Sequence, residues 1–539
     1  VTHPAVDARL AKLAPDQRAA ATAPPGPVLC VAPAGSGKTT TLVARIAWLV
    51  DRGADPATIA AITFNRRAAE ELDERLTAAL EPLGVAAGRV RVRTFHALGL
   101  EILRSDGVDV DLADRAALLA ELAPGLDGAT VGRLDTAFSR LKLDLRAEPA
   151  QVAADAEAGT VARAWVAYEQ ALAERGQLDF DDLVRRALDR LEASPPLLAR
   201  WRAACANLLV DEAQDLDRSQ LDLALLLAAP ANRIFLVGDD DQSIYGWRLA
   251  DVRRVLGLAE ALPGLRRVDL VTNYRCPAPV VERAVRLIEV NRERFAKRIL
   301  AAPTAAGRLI LAPDAADDAV RIRRVLRSWP DDGTSRAVLA RTNNELRPAV
   351  AAALDLGLPF RAPGVELLVE DRRLDDLLAA ATRTDPSLPL LARLARVRAG
   401  APADTTGLAS SVMAWAAGFP DLAALTEGVA AVRRRLADLR REDAPLTLAT
   451  AHGTKGLEWD HVAVIGLEVG RFPSRRSVEE SPEPARALEE ERRLAYVAWT
   501  RARRSLTLLY DPTQPSPFLL DAFSAEELGA DAGAVTMRR

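Results

Sequence analysis

Val28-Leu-Cys-Val-Ala-Pro-Ala-Gly-Ser-Gly-Lys-Thr-Thr-Thr-Leu-Val-Ala-Arg-Ile46 runs from an apolar stretch through a turn of small residues into a helical period. A buried strand feeding a tight turn and then a helix is the opening of an α/β unit, and the turn has the composition of a phosphate-binding loop. Gly35 and Gly37 let backbone amides approach phosphate oxygens at the helix start, where the helix dipole also favours an anion. Lys38 is expected to reach the β and γ phosphates, and the Thr39 hydroxyl to ligate Mg²⁺. Ala34, Ser36 and Thr40 complete the expected nucleotide-binding set, and Ala32 replaces the first glycine of the general pattern.

Leu208-Leu-Val-Asp-Glu-Ala-Gln-Asp215 is a second buried-strand run, ending in carboxylates where ligands of open α/β sheets lie. The two acids have separate jobs: Asp211 would hold Mg²⁺, and Glu212 would orient and deprotonate an attacking water. A solvated acidic turn would explain the pair alone, but that reading loses ground once a phosphate loop lies upstream. Positive charge is also needed where γ-phosphate charge develops. Arg275, in Thr272-Asn-Tyr-Arg, and Arg501, in Tyr496-Val-Ala-Trp-Thr-Arg-Ala, are placed for it, although by pattern alone each reads as a surface arginine.

With 539 residues the chain exceeds one hydrophobic core, so three or four domains are expected. Hydrophobic residues at 49% and charged residues at 27% fit a globular protein, and the Ala, Leu and Arg bias favours helix. No stretch of about 18 uncharged apolar residues occurs and the first residues lack a signal-peptide pattern, so a cytoplasmic protein with no membrane partner is expected. Cys30, Cys205 and Cys276 are too scattered for a disulfide framework or zinc site and read as core or loop thiols. A net charge of −4 gives no global sign of a nucleic-acid binder, so any such contact must be local.

Beyond these runs the chain resembles the superfamily 1A helicases of the UvrD, PcrA and Rep type. The motifs that carry the resemblance follow in order through most of the chain: Leu13-Ala-Pro-Asp-Gln17, the phosphate loop, Ala61-Ile-Thr-Phe-Asn-Arg-Arg-Ala-Ala, Arg93-Thr-Phe-His-Ala and Leu178-Asp-Phe-Asp-Asp-Leu. Then come the Asp211 box, Val237-Gly-Asp-Asp-Asp-Gln-Ser-Ile-Tyr-Gly-Trp-Arg, Asn273-Tyr-Arg, Ala337-Val-Leu-Ala-Arg-Thr-Asn, Thr450-Ala-His-Gly-Thr-Lys-Gly-Leu-Glu-Trp and Glu490-Glu-Arg-Arg-Leu-Ala-Tyr-Val-Ala-Trp-Thr-Arg-Ala.

The resemblance implies two RecA-like lobes that hydrolyse ATP with Mg²⁺ in the cleft between them. It implies that Gln17 reads adenine, Tyr274 stacks on the base and Glu458 contacts the ribose. Gln242 would sense the γ-phosphate, with Arg275 and Arg501 reaching it from the second lobe. Phe64, Tyr245 and Trp247 become stacking platforms for DNA bases, with Arg66, Thr94, His96 and His452 as further DNA contacts. A structural turn explains His96 equally well, and Asp179, Asp181 and Asp182 read as structural. Trp48, Trp165, Trp201 and Trp415 lack such context and are expected to pack. Departures from the family pattern include Ala14 for Asn, Pro33 for Gly, Arg66 for Asn, Leu249 for Gly and Trp459 for Phe.

The implied organisation is a first lobe of residues 1–95 and 198–266 with a helical insertion at 96–197. A second lobe spans 267–365 and 446–520, with a reduced helical insertion at 366–445, and 521–539 reads as a frayed tail leaving no room for an appended nuclease. The implied activity is ATP-dependent 3′–5′ translocation on single-stranded DNA and helicase action at single-strand/duplex junctions, in repair or recombination, by a monomer or weakly self-associating protein. A translocase that strips proteins from single strands, and an accessory subunit of a repair or transcription complex, are the alternatives. The retained Lys38, Asp211, Glu212, Gln242, Arg275 and Arg501 count against an inactive platform.

Overall fold

The computed structural model describes residues 2–155 and 157–529. The first sheet comprises β1 (Val28–Val31), β2 (Ile59–Thr63), β3 (Arg91–Thr94), β4 (Asn207–Val210), β5 (Ile234–Gly238) and β6 (Arg266–Asp269), in the order β3-β2-β4-β5-β1-β6. Every pairing is parallel. Parallel strands are covered on both faces, which is why β1, β2 and β5 are buried throughout and read as apolar runs. Alternate residues feed different faces: Cys30, Ala61 and Phe235 join one apolar cluster, and Leu29, Ile62 and Leu236 the other. A short pair, β7 (Thr272–Asn273) and β8 (Leu300–Ala301), follows.

The second sheet comprises β9 (Arg308–Pro313), β10 (Arg336–Ala340), β11 (Phe360–Arg361), β12 (Leu446–Thr450), β13 (Trp459–Val464) and β14 (Ala502–Tyr510), also all parallel, in the order β11-β12-β10-β13-β14-β9. The fold is therefore α/β with two helix-flanked parallel sheets, as the motif order implies. The described chain divides into two compact units, residues 2–275 with 288–304 and residues 276–287 with 305–529.

Several expected boundaries move. β6 pairs with β1, so the first unit runs past residue 266 and carries Arg275 with it. At the expected 96–197 insertion, the helices Phe95–Ser105 and Asp182–Ala193 supply Leu98, Ile102, Val184 and Leu188 to the same apolar cluster as Leu29 and Ile62. Only the stretch between them has its own small core, built on Leu118, Phe138, Trp165, Tyr168 and Leu172. It is tied back by Lys142, whose ammonium lies 2.9 Å from Asp179 and 3.0 Å from Asp182. In the 366–445 segment, Leu377, Leu394, Val412, Leu425 and Val429 share one cluster with Val338, Phe360 and Leu448, making it a layer on the second sheet. The expected tail is also packed through residue 529: Phe523 and Leu528 are buried, and the Tyr510 hydroxyl donates to the Leu528 carbonyl at 3.0 Å. Residues 530–539 lie outside the described residues.

The three cysteines are buried thiols. Among the described residues no helix is long and apolar enough to cross a membrane.

Asp217 caps the helix Arg218–Ala228 by accepting from Gln220 N at 2.8 Å, but it is buried. Burial pushes its carboxyl up to about 7, with Asp181 and Asp144 adding to the effect and the Gln220 amide and Arg254 opposing it. A raised folded-state pKa favours the protonated fold, so this contribution is complete below the unfolded carboxyl value and is lost as pH rises through about 7. Asp217→Asn keeps the cap acceptor without the charge. We expect it to stabilise the protein by about 1 to 3 kcal/mol at pH 8, and by much less at pH 5, in thermal melts.

Candidate active site

The loop after β1 leaves from the carboxyl edge of the first sheet, beside the ends of β4 and β5, and enters the helix Lys38–Asp51. Gly37, at φ +84°, is the residue before that helix, and Gly35 has φ +67°. A Cβ at Gly35 would lie 2.7 Å from both Asn273 Oδ1 and Arg275 Cβ, so this position needs glycine for space as well as for conformation. Asn273 Oδ1 accepts from Arg275 N at 2.8 Å, and Tyr274 N donates to the Gly35 carbonyl at 2.9 Å. The Asn273-Tyr274-Arg275 turn is thus docked on the phosphate loop within the first unit, which corrects the expectation that Arg275 approaches from the second lobe. The Tyr274 ring is 47% exposed, open enough to take a base.

Gln17, expected to read adenine, also closes on this loop. Its Nε2 donates to the Ser36 carbonyl at 2.8 Å and its Oε1 accepts from Ala14 N at 3.1 Å, so its amide braces the loop. Ser36 Oγ is buried with no hydrogen-bond partner among the described residues. Ala34 is buried, and Thr39 and Thr40 lie on the first turn of the helix. Left-over donors, two left-handed glycines and a lysine at a helix start fit a polyphosphate.

At the end of β4, Asp211 N donates to the Ile62 carbonyl at 2.8 Å, and Asp211 Oδ1 accepts from Glu212 N at 2.9 Å. Glu212 itself has φ +52°, a left-handed conformation that costs a non-glycine residue roughly 1 to 3 kcal/mol and recurs at functional sites. Its Oε2 accepts from Lys38 Nζ at 3.3 Å and from Gln214 Nε2 at 2.6 Å. Among the described residues no group of three or more His, Cys, Asp or Glu could hold a metal ion. Mg²⁺ takes one or two carboxylates and the phosphates of its substrate, and Thr39 with Asp211 fits this donor set.

The turn after β5 is built on buried carboxylates. Asp239 Oδ2 accepts from Gln242 Nε2 at 2.7 Å, and Lys297 Nζ lies 2.7 Å from Asp239 and 2.9 Å from Asp241. Arg294 pairs with Asp241 at 2.8 Å. Burial alone would raise the Asp241 carboxyl, but Lys297 and Arg294 outweigh it and hold the group below its usual range. Pattern reading passed over Gln214, Asn273, Arg294 and Lys297; the basic pair stands in a polar run that looks solvated.

Three residues beyond Gln242, Tyr245 stacks on Phe64 with ring centroids 5.0 Å apart. Trp247 meets Tyr245 edge-on, is 51% exposed, and carries the Arg248 guanidinium 4.6 Å from its ring centre. An open indole beside a cation matches the stacking-plus-charge chemistry of single-strand binding. Arg66 is exposed and paired with Glu70 at 2.8 Å. Thr94 is spent as a helix cap, accepting from Ala97 N at 3.2 Å. His96 stacks on Phe180 at 4.0 Å; burial lowers it to about 4, Arg248 adding and Asp181 opposing. Asp179, Asp181 and Asp182 bind Arg115 and Lys142, the structural part expected of them.

In the second unit, Arg501 is buried, donating to the Val497 carbonyl at 2.8 Å and the Leu457 carbonyl at 3.2 Å. Glu458 is exposed, 3.6 Å from Arg503. His452 follows β12, and burial, then Arg341, lowers it to about 4.

Fold and loop together define a P-loop nucleotide-binding protein. The sequence profile of the UvrD/REP helicase N-terminal domain matches residues 13–263, and that of the UvrD-like helicase C-terminal domain matches residues 421–512. The chain is 29% identical to DNA helicase II of Escherichia coli strain K12, over 92% of this chain and 84% of that protein. It is also 29% identical to the ATP-dependent DNA helicase PcrA of Leuconostoc citreum, over 92% of this chain and 83% of that one. The chain belongs to the UvrD/REP helicase family.

Gly35→Ala should push the Asn273-Tyr274-Arg275 turn off the loop. We expect the KM for ATP to rise at least about ten-fold while single-strand affinity stays within about two-fold; an unchanged KM would mean that the turn does not shape the nucleotide site.

Proposed function

We propose that this ATP-dependent DNA helicase translocates 3′ to 5′ along single-stranded DNA and opens duplex at junctions, in DNA repair or recombination in the cytoplasm. One observation carries the reading: the turn that bears Gln242 is bonded through Gln214 to Glu212 on one side and leads within three residues to the Tyr245 and Trp247 surface on the other. A nucleotide switch without a strand to move has no need of an exposed indole there.

In this reading Lys38 and the loop amides bind the β and γ phosphates, and Glu212 orients the attacking water and takes its proton. Thr39 and Asp211 hold Mg²⁺, which when bound neutralises phosphate charge. Gln242, Arg275 and Arg501 contribute polar and positive groups at the γ-phosphate, and Tyr274 stacks on the base with Glu458 at the ribose. Phe64, Tyr245 and Trp247 support successive bases, and Arg66, Thr94, His96 and His452 line the strand's path. Every base has a π face, so progress along the strand is independent of sequence. The protein works as a monomer or with weak self-association.

Glu212→Gln removes the base and keeps the phosphate contacts. It should bind ATP and DNA normally and lose turnover at least about a hundred-fold. Trp247→Ala should do the reverse, weakening single-strand binding by about 1 to 3 kcal/mol. Undiminished turnover in the first, or unchanged DNA affinity in the second, would remove that residue from its assigned role.

The packing of residues 366–445 into the core of the second sheet favours one competing reading, a translocase that clears proteins from single strands with little unwinding, because among the described residues Leu377, Leu394, Val412, Leu425 and Val429 are spent on that core. Single-turnover unwinding of 3′-tailed and 5′-tailed duplexes decides between them. Unwinding from the 3′ tail alone is the expected result; movement on single strands without unwinding from either tail would establish the translocase.

A further inference from the structure

Gln214 is buried, 1% exposed, and its side-chain amide is used at both ends. Nε2 donates to Glu212 Oε2 at 2.6 Å and to Asp215 Oδ2 at 3.2 Å, while Oε1 accepts from Asp239 N at 3.0 Å. Its main-chain carbonyl accepts from Ser243 Oγ at 3.2 Å. The two residues it grips across the sheet edge, Asp239 and Ser243, flank Gln242, and Ser243 stands two residues before Tyr245. The strand end is shaped around this amide: a Cβ on Gly238 would come within 2.3 Å of Gln214 Oε1.

We infer that Gln214 is a positioning residue that couples the strand-binding surface to the hydrolytic base, an inference that rests on the helicase reading above. An amide is a rigid plane, so displacement of the Asp239–Ser243 turn has to rotate it or break one of its bonds. Glu212 Oε2 carries donors from both Gln214 and Lys38, and a carboxylate oxygen stabilised by donors is a weaker base. A base stacking on Tyr245 shifts the turn, draws the Gln214 amide away from Glu212, and leaves the carboxylate freer to take the proton of the attacking water. Lys297 and Arg294, holding the Asp239 and Asp241 carboxylates from behind, keep the turn moving as one piece.

The test is the ratio of kcat at saturating single-stranded oligonucleotide to kcat without DNA, with the KM for ATP and the oligonucleotide Kd measured on the same full-length protein. Gln214→Leu removes both ends of the link. Gln214→Glu keeps the side-chain length and the acceptor for Asp239 N and replaces the donor to Glu212 and Asp215 by a second carboxylate oxygen, so it serves should the leucine variant fail to fold. The expected result is a ratio falling towards one, with KM and Kd within about two-fold of wild type. A wild-type ratio in a folded variant overturns the inference, as does a loss confined to KM or Kd, or failure of both variants to fold, since each assigns Gln214 a purely structural part. Absence of stimulation in the unsubstituted protein is a separate outcome that removes the helicase reading and this inference with it.

Discussion

Two chains of hydrogen bonds meet on the Glu212 carboxylate, and the site depends on their meeting. One comes from the phosphate loop through Lys38, the other from the turn after β5 through Gln214. Both are possible because β4 lies beside β5, with β1 on the other side of β5, so three strand ends deliver their loops to one edge. The left-handed backbone at Glu212 turns the side chain into that gap. The cost of that conformation is offset by charge-assisted bonds at both ends of the carboxylate's surroundings, each stronger than a neutral pair.

A second constraint acts on the aromatic surface. Leu249, two residues after Trp247, has φ +68°, a region that costs a branched side chain on the order of 1 to 2 kcal/mol. Its side chain packs against the core of the first sheet, and its carbonyl accepts from Arg254. This anchored leucine fixes the exit of the Tyr245–Trp247 segment. The entrance is the Asp239–Asp241 turn, whose buried carboxylates are gathered on Lys297 and Arg294, so the Tyr245 and Trp247 rings are carried between a turn that moves as one piece and an anchored exit.

What could be read from residues alone follows from how local the chemistry is. A phosphate loop needs glycine and lysine at set spacing between a strand and a helix, so Gly35, Gly37 and Lys38 were legible, as were the carboxylates ending β4. Of the strands, β1 and β4 were legible as apolar runs, while the second sheet was implied only by the order of the motifs. Gln214 was not, because a glutamine inside an acidic box looks solvated and its partner Asp239 lies 25 residues away. Arg275 was misassigned because its unit is decided by the docking of Tyr274 N on Gly35, a contact without periodicity. The insertion boundaries slipped for a related reason: the helix Phe95–Ser105 has the same apolar period whether it packs on the sheet or away from it. Arg501 read as exposed on its helix, yet it is buried against the Val497 carbonyl one turn earlier and the Leu457 carbonyl, 44 residues away in sequence.

The central claim is that ATP hydrolysis and strand binding are one coupled event, wired through the first unit. The most direct measurement is steady-state ATP turnover by the intact chain as a function of single-stranded DNA concentration, using oligonucleotides of mixed sequence. The account predicts a saturable rise in kcat, reached at the same DNA concentration that saturates binding. Turnover that is the same with and without bound DNA would contradict it.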